Sequence, residues 1–380
     1  MSIEYRVSSF EEYRGGRREA SKLKTQNSKL VRKKDIGSVL HQWSKDYTIF
    51  VPCNEGDTAF TVHGSRLTVY GLWDGSDINL DWYRNTVTPP KANFLPPLEE
   101  MFRFQKGKEG HSMELPFEPG VWSLESGVPL PQLIFGIRPC DARALSLLDL
   151  IFTDAYQDPY YLPRREGAVL VGLVCLNPYD SCFCTSLGIG PGESDDVDLL
   201  LTDIGDEFLI EEISDKGKRL MELTAGLKDA TEDDTARANE AKEKAYGRVT
   251  RKINTEGIKD RLLSAFEDEH YWEKVAAKCI ACGICTFLCP TCYCFDISDE
   301  MVKKQGARFR CWDSCAFALY TKMPMENPRE EKWQRVRQKV CHKFEFYPMT
   351  FDVIACTGCG RCIRLCPVNW DITQTLRLLD

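Results

Sequence analysis

The chain has 380 residues, 18 cysteines and a formal charge of −8 at neutral pH. That length allows two or three domains with self-sufficient cores, and the acidic balance speaks against nucleic acid, whose binders carry a basic stripe. No stretch approaches the roughly eighteen consecutive apolar residues of a membrane span, so no direct membrane insertion is expected.

The start, MSIEYRVSSFEEYRGGRREASKLK, is polar and lacks the apolar run and small-residue cleavage site of a secretory signal. The expected compartment is the cytoplasm, where clustered cysteines bind metal more often than they form disulfides. Residues 1–35 form a basic segment containing Arg17, Arg18, Lys22, Lys24, Lys29, Arg32, Lys33 and Lys34. It reads as a solvated segment, with a docking arm for a partner protein as the alternative.

Residues 36–215 read as an α/β domain. YTIFVPC (47–53), TAFTVHG (58–64) and RLTVYG (66–71) are β-rich runs separated by turn formers. PQLIFGI (131–137) predicts another strand and leads into RPCDARALSLLDLIF, where Asp141 could cap a helix with Ala144, Leu145, Leu147, Leu148 and Ile151 on its apolar face. GAVLVGLVC (167–175) repeats the strand, so a parallel βαβ unit is expected. DVDLLLTDIGDEFLIEE (196–212) predicts a hairpin turning at Ile204-Gly205-Asp206. Residues 216–272 read as a charged helical connection, including a run from Glu232 to Ala245 with almost no apolar face. A solvent-exposed helix is the reading there, and a partner-facing one the alternative.

Residues 273–380 carry most of the cysteines. Cys279, Cys282, Cys285 and Cys289-Pro290 fit C-x2-C-x2-C-x3-C-P, and Cys356, Cys359, Cys362 and Cys366-Pro367 fit it again at a constant offset of 77. This is the bacterial-type pattern for a 4Fe–4S cubane, doubled, in which the fourth cysteine of each run ligates the other cluster. The expected sets are therefore Cys279, Cys282, Cys285 and Cys366 for one cubane, and Cys356, Cys359, Cys362 and Cys289 for its mate. Gly283 and Gly360 relax the backbone where the chain wraps the cluster. Zinc also takes four thiolates, but its sites come as two CxxC pairs, without the third cysteine or the trailing Cys-Pro.

Two further cysteine groups remain. Cys140 and Cys175 sit at strand ends and Cys182 and Cys184 follow at once in DSCFC, a count and convergence suited to a third 4Fe–4S cluster. Reactive or merely buried thiols are the alternative. Cys292, Cys294, Cys311 and Cys315 lie between the half-motifs. They read as thiols packed against the cubanes, with a further cluster or a redox-active thiol pair left open. Cys53 reads as a small buried hydrophobe. There is no Rossmann or P-loop fingerprint and no paired histidine ligand, and GIGPG (188–192) reads as a loop passing near the upstream thiols. No residue is assigned a catalytic role.

IRPCDARAL, DSCFCTSLGIGPG, CPTCYCFD, WDSC and the doubled ferredoxin motif together resemble one family. It is the iron–sulfur beta subunit of cytosolic NiFe hydrogenases of the sulfhydrogenase type, which is similar to an iron–sulfur component of anaerobic sulfite reductase. The resemblance spans roughly residues 40–380 and implies that the eight ferredoxin cysteines are cluster ligands. It also lends weight to Cys140, Cys175, Cys182 and Cys184 as functional residues. The fold expected is α+β, with a mixed α/β domain, a helical connection and a dicluster ferredoxin domain. The function expected is an electron-transfer subunit. It would relay single electrons between a flavoprotein subunit of flavin/NAD(P)H type and a terminal redox subunit of hydrogenase, sulfite reductase or heterodisulfide reductase type. The alternative is a catalytic thiol/disulfide or sulfur-compound reductase subunit, like a heterodisulfide reductase. The basic start and the long charged region around 228–260 depart from the family and leave the partner open.

Overall fold

The computed structural model describes residues 28–54, 68–107, 111–114 and 131–379. The strand expected at 58–64 and most of the basic first segment lie outside the described residues.

Twelve strands are described in two sheets: β1 (Lys29–Arg32), β2 (Thr48–Asn54), β3 (Thr68–Leu72), β4 (Leu98–Lys106), β5 (His111–Glu114), β6 (Gln132–Ile137), β7 (Val169–Leu173), β8 (Leu199–Asp203), β9 (Glu207–Glu212), β10 (Lys228–Asp229), β11 (Phe295–Val302) and β12 (Gln305–Trp312). Eight of them form the larger sheet in the order β10-β1-β9-β8-β7-β6-β2-β3. At its centre β2, β6, β7 and β8 run parallel. β7 is buried at every position and β6 at all but its first, the near-continuous apolar reading of strands covered on both faces. The helix Pro139–Phe152 crosses from β6 to β7, so the expected βαβ unit is present.

Three local differences have physical causes. The crossover helix begins at Pro139, whose fixed φ suits a first turn, and Arg138 rather than Asp141 is the capping residue. Asp141 is then free for a partner elsewhere. Lys29–Arg32 is a strand paired with β9 and β10, so the end of the basic segment belongs to the sheet instead of being solvated: Leu30 and Val31 supply the apolar positions. The third is the smaller sheet, β11-β12-β4-β5, unforeseen because it joins a hairpin between the ferredoxin half-motifs to a strand some 200 residues earlier. Arg310 on β12 bonds its cross-strand partner Glu99 on β4 at 2.9 and 2.5 Å and ties the sheet to the rest of the fold through Asp158 at 2.5 Å.

The hairpin expected at 196–212 forms between β8 and β9, with Gly205 at φ +114° in its turn. The helix Glu232–Arg248 opens with a Thr231/Asp234 capping box and buries only Asp234, Ala238 and Ala245, which matches its polar composition. Among the described residues no helix is long and apolar enough to cross a membrane. The C-terminal helices pack on Trp272, Val336, Val340, Phe344, Trp370 and Leu376.

Candidate metal centres

The repeat at offset 77 extends to the backbone. Gly283 and Gly360 start short helices, Ile284–Phe287 and Arg361–Arg364, from left-handed conformations at φ +75° and +73°. Ala281 and Gly358, one per half, are also left-handed at +56° and +63°. Their N–H groups donate to Cys279 Sγ at 3.4 Å and to Cys356 Sγ at 3.5 Å. Each loop thus curls amides around its first thiol, the arrangement that stabilises negative charge on a cluster sulfur.

Cys279, Cys282, Cys285 and Cys366 line one cavity of about 520 Å³ including its mouth, together with Ala316, Lys339, Pro367 and Trp370. The crossed fourth cysteine is therefore in place, and Cys366 Sγ accepts from the Trp370 N–H at 3.2 Å. Cys289, Cys356, Cys359 and Cys362 form the second group, close enough that Cys289 and Cys359 act electrostatically on both Cys356 and Cys362. Burial pushes the Cys356 thiol up to about 12. Bound iron reverses that preference by replacing the proton.

Two buried lysines serve these groups, and sequence reasoning missed both. Lys339 Nζ lies 2.9 Å from Cys285 Sγ and 3.9 Å over the Trp370 ring. Lys343 Nζ lies 3.3 Å from Cys289 Sγ and 2.8 Å from Thr291 Oγ1. Burial alone would depress both ammonium groups, but the surrounding thiols more than offset it and hold them above the usual lysine value. One turn apart on the helix Lys332–Cys341 and its π-helical continuation His342–Phe346, they hydrogen-bond different cysteine groups, and Lys339 also acts electrostatically on Cys362 of the second. A signal was available: Val336, Val340 and Phe344 mark the buried face, and 339 and 343 fall on it.

The upstream cysteines also converge. Cys140, Cys175, Cys182 and Cys184 line a cavity of about 390 Å³, the solvent at its mouth included, with Arg84, Arg138, Tyr179, Gly190, Pro191, Gly358 and Cys359. Cys140 rides the first turn of the crossover helix and Cys175 follows β7, so the parallel pair delivers both thiols to one sheet end. The GIGPG loop passes beside them as expected, with the Cys175 N–H donating to the Pro191 carbonyl at 2.8 Å. Arg138 locks the floor by donating to the carbonyls of Val174 at 2.6 Å, Arg84 at 2.5 Å and Tyr83 at 2.5 Å. Burial raises all four thiols, Cys182 and Cys184 to about 12.

This cavity abuts the second cysteine group. Phe183 N–H donates to the Gly358 carbonyl at 2.9 Å, and Cys182 Sγ to the Cys359 carbonyl at 3.5 Å. A Cβ on Gly358 would stand 2.5 Å from the Cys184 nitrogen, and one on Gly360 2.4 Å from Ser181 Oγ. That contact explains why the second half-motif has Gly where the first tolerates Ala281.

The remaining thiols do not form one group. Cys292 hydrogen-bonds Cys289, Cys294 pairs with Cys315, and Cys311 stands apart on β12 with its Sγ 3.8 Å from the Asp296 carbonyl. Cys53, expected to be buried, is only half-buried because it lies against Gly71 in the two-stranded β2–β3 margin of the sheet, and it lines neither cavity; Cys341 is buried in the C-terminal core. Among the described residues no group of three or more His, Cys, Asp or Glu is drawn tightly enough for one shared ion. Thiolates arranged around a cavity suit a cubane, where each binds a different iron.

The family described as a 4Fe-4S dicluster domain matches residues 278–370. The sulfhydrogenase 2 subunit beta of Pyrococcus furiosus is 33% identical over 304 residues, covering 79% of this chain and 85% of the relative. Two 4Fe–4S clusters and an electron-transfer role accordingly apply to this protein. The chain belongs to the family of iron–sulfur beta subunits of sulfhydrogenases.

Proposed function

We propose that the chain relays single electrons through three 4Fe–4S clusters set in a row. Cys279, Cys282, Cys285 and Cys366 hold the outer cluster, Cys289, Cys356, Cys359 and Cys362 the middle one, and Cys140, Cys175, Cys182 and Cys184 the third. The observation that carries this reading is the Gly358–Cys359 segment, which lines the third cavity while belonging to the middle half-motif. The clusters supply one-electron chemistry, and the protein supplies spacing, burial and charge. Lys339 and Lys343 offset the negative charge of the thiolates they touch, and the curled amides share that work.

The partners in this reading are a flavoprotein subunit of flavin/NAD(P)H type and a terminal redox subunit, consistent with a relative that is by name one subunit of a sulfhydrogenase. The domain reading is also kept as a proposal: an α/β unit to about residue 215, a charged connection to 272 and a ferredoxin-like unit after it. The test is reduction without turnover. The isolated chain should bleach on anaerobic dithionite addition yet oxidise no NADH or hydrogen until partner subunits are restored. Steady turnover by the pure single chain would contradict the relay reading.

A further inference from the structure

Cys294 and Cys315 lie outside both cavities, yet the fold brings their thiols together. Cys294 immediately precedes β11, and Cys315 follows β12 by three residues. At the base of this hairpin Phe295 pairs with Trp312, and the Asp313 N–H donates to the Cys294 carbonyl at 3.0 Å. The next turn is fixed by the Ser314 N–H on Asp313 Oδ1 at 2.6 Å and the Ala316 N–H on Ser314 Oγ at 3.1 Å. It folds Cys315 back so that both its thiol and its N–H hydrogen-bond the Cys294 sulfur. The Tyr320 hydroxyl bonds the same sulfur.

The surroundings suit redox chemistry. Hydrogen bonding from Cys315 pushes the Cys294 thiol down to about 6 against the effect of burial, with Lys343 and Lys91 adding to the shift. The same bond, together with burial, raises Cys315 well above the usual thiol value. One partner is thus disposed as thiolate and the other as thiol, the division found in reactive pairs. Lys91 is buried here, donating to the Cys292 carbonyl at 2.6 Å with its ammonium 4.2 Å over the Trp312 ring at the hairpin base. Ala316, next to Cys315, lines the cavity of Cys279, Cys282, Cys285 and Cys366, and Cys285 acts electrostatically on Cys315. A pair of electrons released here has a one-electron carrier beside it.

We infer that Cys294 and Cys315 form a dithiol/disulfide couple that exchanges two electrons with the adjacent iron–sulfur relay, one electron at a time. On oxidation the S–S bond forms between the Cys294 thiolate and Cys315, the Cys315 thiol loses its one proton to solvent, and the two electrons pass singly to oxidised clusters. On reduction two electrons arrive from reduced clusters, the S–S bond breaks and one proton is taken up, on Cys315. The couple stores an electron pair beside single-electron carriers. This rests on the relay reading, because the reductant is the reduced iron–sulfur cluster in the neighbouring cavity.

The test uses the full chain, purified anaerobically with its iron retained. The protein is oxidised with a mediator dye, alkylated with N-ethylmaleimide and mapped by peptide mass spectrometry, then re-reduced through the clusters and mapped again. The expected result is a Cys294–Cys315 linked peptide after oxidation that opens on re-reduction. Wild type should also take up two electrons more per chain than Cys294→Ser or Cys315→Ala at equal iron content. Full alkylation of both thiols after oxidation, or a link that reduced clusters do not open, would overturn the proposal while cluster signals remain. Failure of the relay reading looks different, because those cluster signals would themselves be missing.

Discussion

The Asp141 carboxylate accepts hydrogen bonds from the Arg361 guanidinium at 2.6 and 2.8 Å, and both side chains are completely buried. The first follows Cys140 and the second precedes Cys362, so one bidentate ion pair joins the motif of the α/β domain to that of the ferredoxin-like region. Arg361 also donates to the Thr86 carbonyl at 2.7 Å, which leaves its charge fully partnered. Such a pair does not have to add net stability, but breaking it strands a buried charge.

Asp141→Ala should therefore destabilise the protein by about 3–5 kcal/mol, the usual cost of removing one partner from a buried pair. Chemical denaturation of iron-loaded protein measures it. Asp141→Asn keeps the shape and should fall between wild type and Asp141→Ala. An unchanged midpoint in Asp141→Ala would show that the contact carries no structural weight.

Crossed ligation is separately testable. Cys366→Ser should alter the electron paramagnetic resonance of the cluster associated with Cys279, Cys282 and Cys285, because all four cysteines line one cavity. A change confined to the cluster of Cys356, Cys359 and Cys362 would reverse the assignment.

Lys339→Met removes a cation 2.9 Å from Cys285 Sγ. Reduction adds negative charge to the cluster, so losing a buried cation disfavours the reduced form and lowers the potential. The expected drop is on the order of 60 mV, one tenfold step for a one-electron couple, read by redox titration at unchanged iron content. Lys343→Met should act on the other cluster of the pair, since its ammonium contacts Cys289. Lys339 also acts on Cys362, so the second cluster should shift by less in Lys339→Met, and equal shifts of both clusters in either variant would contradict this assignment of contacts.

Gly358→Ala tests the junction between the middle and third sites. An added Cβ meets the Cys184 backbone and the residue must hold φ +63°, so the 182–184 loop has to shift. The third cluster's signal should broaden or disappear in Gly358→Ala. Ala281→Gly, at the equivalent place in the first half-motif, should leave it unchanged.

The dicluster region was legible because its cysteine spacing is local, and the βαβ unit because burial on both faces leaves continuous apolar runs. Convergence of Cys140 with Cys175 could be anticipated from strand order alone. The Asp141 partner could not, since Arg361 lies 220 residues away and an Asp near a helix start reads as a cap. Lys339 and Lys343 were hidden for a similar reason: in KWQRVRQKVCHKF, charge reads as solvent exposure until a thiolate partner is known. The four downstream cysteines looked like one set by count, but the β11–β12 hairpin separates Cys311 from the Cys294–Cys315 pair.

Iron content tests the three-cluster row most directly. Anaerobically reconstituted wild type should hold about twelve iron atoms per chain, and Cys182→Ser or Cys184→Ser about eight, with the two ferredoxin-type signals intact. A wild-type content of no more than about eight, unchanged in those variants, would contradict the account.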